Sequence, residues 1–242
     1  MKVIHRSEFR SASGYISLGN MLRATTTRGS QWQRELAGED RVAQALGRLL
    51  DDQYSLIRNL VIPGDKYDLD MVLVGPTGLW EFEVIHFTGL VNTENGWMCW
   101  DFTQGQVRPI PRELVQRTQE KADNLAAYLA QLGLPVEVSQ ATVLSTPNAP
   151  REFAVPGLQV VFVDEVQGFI QTALQLLKPA APVPVEEIVG KLAGIEGRET
   201  GEYSPDKVLG MTQTQFFIVL TLGVGALCVL IGCLTAYLYY QF

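Results

Sequence analysis
The sequence has little with which to cross-link itself. Of its three cysteines, Cys228 and Cys233 lie in an apolar C-terminal run and Cys99 stands alone beside Trp97 and Trp100, so no disulfide framework can be drawn and a reducing compartment is the default. Basic excess is also missing: 19 Lys and Arg face 26 Asp and Glu, for a formal net charge of −7. That excludes the diffuse positive field which draws proteins nonspecifically onto nucleic acid, and weighs against DNA binding. The N-terminus, MKVIHRSEFRSASG, has charge but no apolar stretch, unlike a secretory signal, so the soluble part is expected never to cross a membrane. Internal repeats are absent.

Apolar side chains are plentiful, at 47% of the chain, and many are gathered at the C-terminus. One soluble domain plus an appendage is the economical reading. Phe216 to Tyr240 reads FFIVLTLGVGALCVLIGCLTAYLYY without a single charge. At helical rise those residues span roughly 37 Å, against a hydrocarbon core of about 30 Å, so a single transmembrane helix is expected. Tyr237, Tyr239 and Tyr240 form an interfacial aromatic belt, while Lys191, Arg198 and Lys207 lie on the N-terminal flank. The positive-inside rule then gives a C-terminal tail anchor in the cell membrane, with the N-terminal domain cytoplasmic. Thr221, Gly225, Cys228, Gly232 and Thr235 form a stripe of small side chains along this helix, an expected homodimer contact.

Four regions follow from composition: an N-terminal extension over 1–30, a folded domain over 31–177, a linker rich in Pro, Gly and charge over 178–215, and the span over 216–240. In the extension, SLGNMLRATTTRG is expected to hold a short helix. From Gln31 to Leu50 apolar residues recur at helical spacing. Next, YSLIRNLVI, DLDMVLVG, GLWEFEVIHF and LVNTENGWMCWDF read as strands split by PGD, GPTG and NTENG turns. A long helix is expected from Arg112 to Leu132, then strands in VSQATVLS and LQVVFV and a helix near Glu165 to Leu177; EEIVGKLAGI offers a short helix in the linker. The order implies an α/β fold, a mixed sheet flanked by helices.

Acids inside the strands need an explanation. Residues two apart share a strand face, so Asp68 goes with Asp70, and Glu81 and Glu83 with Ile85. Alternation alone favours a meander with one solvated face. The other reading is a divalent-metal site, since Mg²⁺ takes one or two carboxylates plus waters and phosphate oxygens. Aromatic residues such as Trp80, Trp97 and Trp100 read as core or cross-strand pairs rather than base-stacking platforms.

The order of motifs says more. AGEDRVAQALGRLL, then LDMVLVGPTGLWEFEVIHFTGLV, then Gln116 within PRELVQRTQEKADNLAAYL, resembles the nuclease-related domain (NERD), a branch of the PD-(D/E)xK restriction-endonuclease-like superfamily, over about residues 30–175. The resemblance implies a restriction-endonuclease-like fold, with Glu39, Asp70, Glu83 and Gln116 as site residues, Asp70 and Glu83 as ligands of Mg²⁺ or Mn²⁺, and nucleic acid as substrate or partner. Where the family pattern carries a lysine two residues after the strand glutamate, this chain has Ile85. An isoleucine can neither hold a cation near the attacking water nor stabilise charge developing on phosphorus. A lysine from elsewhere could fill the space, with Lys121 and Lys66 as candidates; His86 is a weaker one, because its strand position should point it to the opposite face. The leading expectation is a degraded site serving as a binding module; the alternative is an active metal-dependent nuclease with a migrated lysine.

Overall fold
The computed structural model describes residues 1–7, 9–11, 14–28, 32–101, 105–111, 113–176, 182–195, 207–208 and 211–212. Six strands form one mixed sheet: β1 (Lys2–His5), β2 (Ser55–Val61), β3 (Asp68–Gly75), β4 (Gly78–Ile85), β8 (Val138–Leu144) and β9 (Val160–Phe162), side by side in that order. The β2–β3–β4 meander is antiparallel, whereas β1 joins β2, β8 joins β4 and β9 joins β8 in parallel. A separate three-stranded antiparallel sheet, β5 (Val91–Thr93), β6 (Gly96–Asp101) and β7 (Gln106–Pro109), follows the end of β4.

Helices cover both faces of the main sheet. On one side α2 (Trp32–Leu49) and α4 (Val166–Leu176) bury Val42, Leu46, Val166 and Ile170 against Met71, Leu73, Trp80 and Phe82. On the other, α3 (Glu113–Gln131) and α5 (Val185–Ala193) bury Leu125, Leu129, Ile188 and Leu192 against Val72, Val74 and Leu79. A strand covered twice should be apolar throughout. Apart from Gly78 and the acids Glu81 and Glu83, β4 is, which removes the solvated-face reading: those two glutamates are 0% and 3% exposed.

The short helices expected in the extension and in the linker are both present, and the two regions add a sheet strand and core side chains that composition did not suggest. The extension contributes β1 to the sheet and a helix, α1 (Leu18–Arg28), whose Ala24 packs with Phe9 and Trp32. The Pro-rich linker contributes α5, whose Ile188, Val189 and Leu192 are buried in the core. A short hairpin, β10 (Lys207–Val208) and β11 (Met211–Thr212), precedes the apolar run. The expected span over 216–240, with its aromatic belt and small-residue stripe, lies outside the described residues; among those described, no helix is long and apolar enough to cross a membrane.

Candidate functional site
The hairpin geometry places the first two acids. Met71 pairs with Phe82, so Asp70 and Glu83 occupy the next ladder position, opposite one another. The Val84 N–H donates to Asp70 Oδ2 at 2.8 Å, tying the two strands together there. Asn59 faces Asp70 from β2, between the Arg58–Met71 and Leu60–Leu69 pairs, with a positive φ of 55°. A non-glycine residue in that region is strained, and such strain concentrates at functional sites.

Cations come from α3. Arg117 and Lys121 are one helical turn apart and share a face. Lys121 Nζ donates to Glu83 Oε2 and lies 3.7 Å from Asp70 Oδ1; Arg117 Nη2 donates to Glu83 Oε1 at 3.0 Å. Burial alone would lower the Lys121 pKa, but the Asp70 and Glu83 carboxylates outweigh it and hold the ammonium above the ordinary lysine range. Burial first, and the Glu83 charge second, raise Asp70 well above the usual carboxylate value.

Glu81 lies two residues before Glu83 on the same face. Its Oε2 accepts from Gln140 Nε2 at 3.1 Å, and its Oε1 is buried without a hydrogen-bond partner. Burial, with a smaller push from Glu83, raises its pKa to about 8. The folded state therefore holds this proton more tightly than the unfolded chain. The resulting stability is fully present below the ordinary glutamate pKa of 4.5 and is lost as pH rises through about 8. Glu81→Gln removes that loss. Measured by chemical denaturation in detergent micelles, the variant should gain roughly 2–4 kcal/mol on the parent between pH 5 and pH 9. Identical pH dependence of the two proteins would contradict a buried, neutral Glu81.

Glu39 approaches from the opposite layer, on α2. Its Oε2 accepts from Arg58 Nη2 at 2.9 Å and from Asn59 Nδ2 at 3.4 Å, and its charge is felt at Asp70. Burial raises Glu39 above its ordinary value against the opposing pull of Arg58. Arg58 Nη1 also donates to Asp40 Oδ1 at 2.8 Å, and Arg10 from the N-terminal extension donates to the same oxygen at 2.7 Å. Burial pushes Asp40 upward, but these arginine contacts prevail and hold it low. Gly38 lets α2 come this close, since a Cβ there would stand 2.4 Å from Ser145 Oγ.

The remaining sequence candidates lie elsewhere. Gln116 is exposed and donates to Glu120 Oε1 at 2.6 Å, consistent with its five-residue offset from the inward-facing Lys121. Lys66 sits over the Tyr67 ring, 4.5 Å from its centroid. His86 meets Ser145 Oγ at 3.4 Å on the far side of β4 from Glu83. Ile85 is packed with Leu114, Leu144 and Phe153, so the place of the motif lysine is apolar. Arg117, Arg58 and Arg10 join the site without having been legible as site residues in the sequence, although Arg58 inside the apolar YSLIRNLVI was a signal: a buried arginine needs a carboxylate partner.

The donor set suits a hard divalent cation in kind. Asp70 and Glu83 offer carboxylate oxygens from facing strand positions, and Glu81 Oε1 adds a buried oxygen without a partner. Among the described residues no group of three or more His, Cys, Asp or Glu is arranged to hold a metal ion.

The family model of the nuclease-related domain matches residues 34–145. That stretch runs from the first turn of α2 just past β8 and contains Glu39, Asp70, Glu83, Arg117 and Lys121. No curated protein and no solved structure matches the chain.

Proposed function
We propose that the nuclease-related domain of this chain is a metal-dependent phosphodiesterase acting on nucleic acid, held at the cytoplasmic face of a membrane by Phe216 to Tyr240, with Lys121 of α3 supplying the ammonium that the family pattern places two residues after the strand glutamate. The observation that carries it is the contact of Lys121 Nζ with Glu83 Oε2, 3.7 Å from Asp70 Oδ1. An aspartate, a glutamate and a lysine then meet at one point although the lysine at position 85 is missing.

Each of these side chains has a task in phosphodiester cleavage. Asp70 and Glu83 would hold Mg²⁺ or Mn²⁺, which when bound supplies polarisation of the phosphoryl oxygens. Lys121 presents a fixed positive charge beside the place where negative charge develops on the phosphate, and its carboxylate neighbours keep it protonated through the neutral range. Arg117 orients Glu83 by holding Oε1, which leaves Oε2 for the lysine. The Val84 N–H fixes the Asp70 carboxylate through Oδ2 and leaves Oδ1 toward Lys121.

The second reading is a binding module that has lost catalysis. It is favoured by Arg117, which already neutralises Glu83, and by the apolar packing of Ile85. Two measurements separate the readings. Titration calorimetry of the full chain in detergent with Mn²⁺ should give binding that Asp70→Asn abolishes; a parent with no Mn²⁺ binding would sink the metal site. Ile85→Lys should leave cleavage within a few-fold of the parent, because the ammonium already arrives from α3. A rise of about 100-fold or more, the scale of one electrostatic stabiliser, would instead mark the parent site as degraded.

A further inference from the structure
The helix α1 docks by one face and leaves another bare. Ala24 is buried against Phe9 and Trp32, whereas Tyr15 and Leu18 are 69% and 59% exposed, with Met21 and Leu22 exposed beside them. Of the eight exposed large hydrophobic side chains among the described residues, these four fall within eight positions of one another. Leu18, Met21 and Leu22 follow i, i+3, i+4 spacing, so they form one stripe. Single exposed apolar residues are ordinary on a protein surface, but a gathered stripe marks an interaction site.

Charge narrows the partner. In a chain of net charge −7, residues 1–30 hold Lys2, Arg6, Arg10, Arg23 and Arg28 against Glu8 alone. Arg10 is spent internally on Asp40, yet the segment remains basic. An apolar stripe within a basic segment fits the interfacial region of a bilayer with anionic headgroups, where apolar side chains sink about 5–10 Å and basic ones pair with lipid charge. Position agrees. The hairpin strand β10 lies against α1, and β11 ends at Thr212, four residues before the apolar run begins at Phe216. Chain length alone keeps Phe216 within roughly 14 Å of Thr212.

We infer that the exposed face of α1 lies on an anionic lipid surface, so that the domain is held against the membrane instead of hanging free on its tether. This rests on the membrane reading of the apolar run. A domain seated in this way offers its candidate site at a fixed height and orientation above the bilayer.

The test uses the full chain in phosphatidylcholine–phosphatidylserine vesicles with brominated acyl chains, which quench tryptophan at the interface and below. Leu18→Trp should add emission over the parent that the brominated lipid largely removes. Asp52→Trp, on an exposed turn, should add emission that survives. Leu222→Trp, inside the apolar run, reports the anchor independently. Quenching at 222 without quenching at 18 leaves the anchor standing, assigns the stripe to a protein partner and overturns the inference. Absence of quenching at both positions overturns the anchor and the lipid contact together. Quenching at 18 alone supports the surface contact and rejects the anchor. Pure phosphatidylcholine vesicles should weaken the quenching at 18, and unchanged quenching there would reject the electrostatic half of the claim.

Discussion
Replacing Lys121 with methionine is expected to cut metal-dependent cleavage by about 100-fold or more, the usual cost of removing one preorganised electrostatic stabiliser. Methionine keeps much of the lysine's length and apolar stem, so packing of α3 against β4 should survive. The ammonium is a competitor for the carboxylates as well as a catalytic charge, since it occupies Glu83 Oε2 and approaches Asp70 Oδ1. Its removal should therefore leave Mn²⁺ affinity unchanged or make it tighter, while cleavage falls. A residue with a purely structural role would lower both together. Lys121→Arg keeps the charge but presents a planar fork in a space filled by a compact ammonium, and should recover only part of the rate.

Arg58→Ala is expected to give the largest loss of stability. Arg58 is buried and bonds Glu39 and Asp40 at once, from its two terminal nitrogens. Without it Glu39 stays buried with Asn59 as its remaining side-chain partner, at 3.4 Å. Removing one member of a buried ion pair costs roughly 3–5 kcal/mol. In a chain of this size that corresponds to a fall in Tm of about 6–20 °C. The paired change Arg58→Met with Glu39→Gln should lose less than Arg58→Ala alone, because no charge is then left without a partner. An Arg58→Ala protein melting within 2 °C of the parent would show that the network is not coupled to the fold.

The legible parts of the fold were those written in local pattern. The helix near 31–50, the long helix after Pro111 and the three-strand meander follow from apolar spacing and Gly or Pro punctuation, and all are present. What local pattern could not give was pairing at a distance. KVIH is too short and too charged at its flanks to read as a strand, yet it aligns in parallel with Ser55 to Arg58. QVRP is assigned no element from the sequence, since its proline argues against a strand interior; it forms the edge of the small sheet, where a missing donor is tolerated. PAAPVPVEE suggests a free tether, but Ile188 and Leu192 just beyond it close the core over β2 and β3.

The site shows the same division. Asp70 and Glu83 could be paired from motif order, because two strands joined by the GPTG turn have a fixed register. The partner of Glu83 could not. Lys121 and Gln116 are both on α3, and which of them turns inward depends on the rotation of that helix against β4 and β8, a property of Leu114, Thr118, Leu125 and Leu129 and not of the motif. Once those residues are buried, Lys121 is carried inward and Gln116 outward. Arg10 and Asp40 are thirty positions apart, and their contact depends on the path of the extension around Trp32.

The most direct test is a cleavage assay on fluorescent single- and double-stranded DNA and RNA with Mg²⁺ or Mn²⁺, run on four full-length proteins: the parent, Lys121→Met, Ile85→Lys and the double variant. A lysine at 85 shares the strand face of Glu83, so its ammonium can reach the same carboxylate from β4. Cleavage by the parent is expected, with its loss in Lys121→Met and recovery of a measurable part in the double variant. A silent parent beside an active Ile85→Lys protein, or a Lys121→Met protein that cleaves as fast as the parent, would contradict the role given to Lys121.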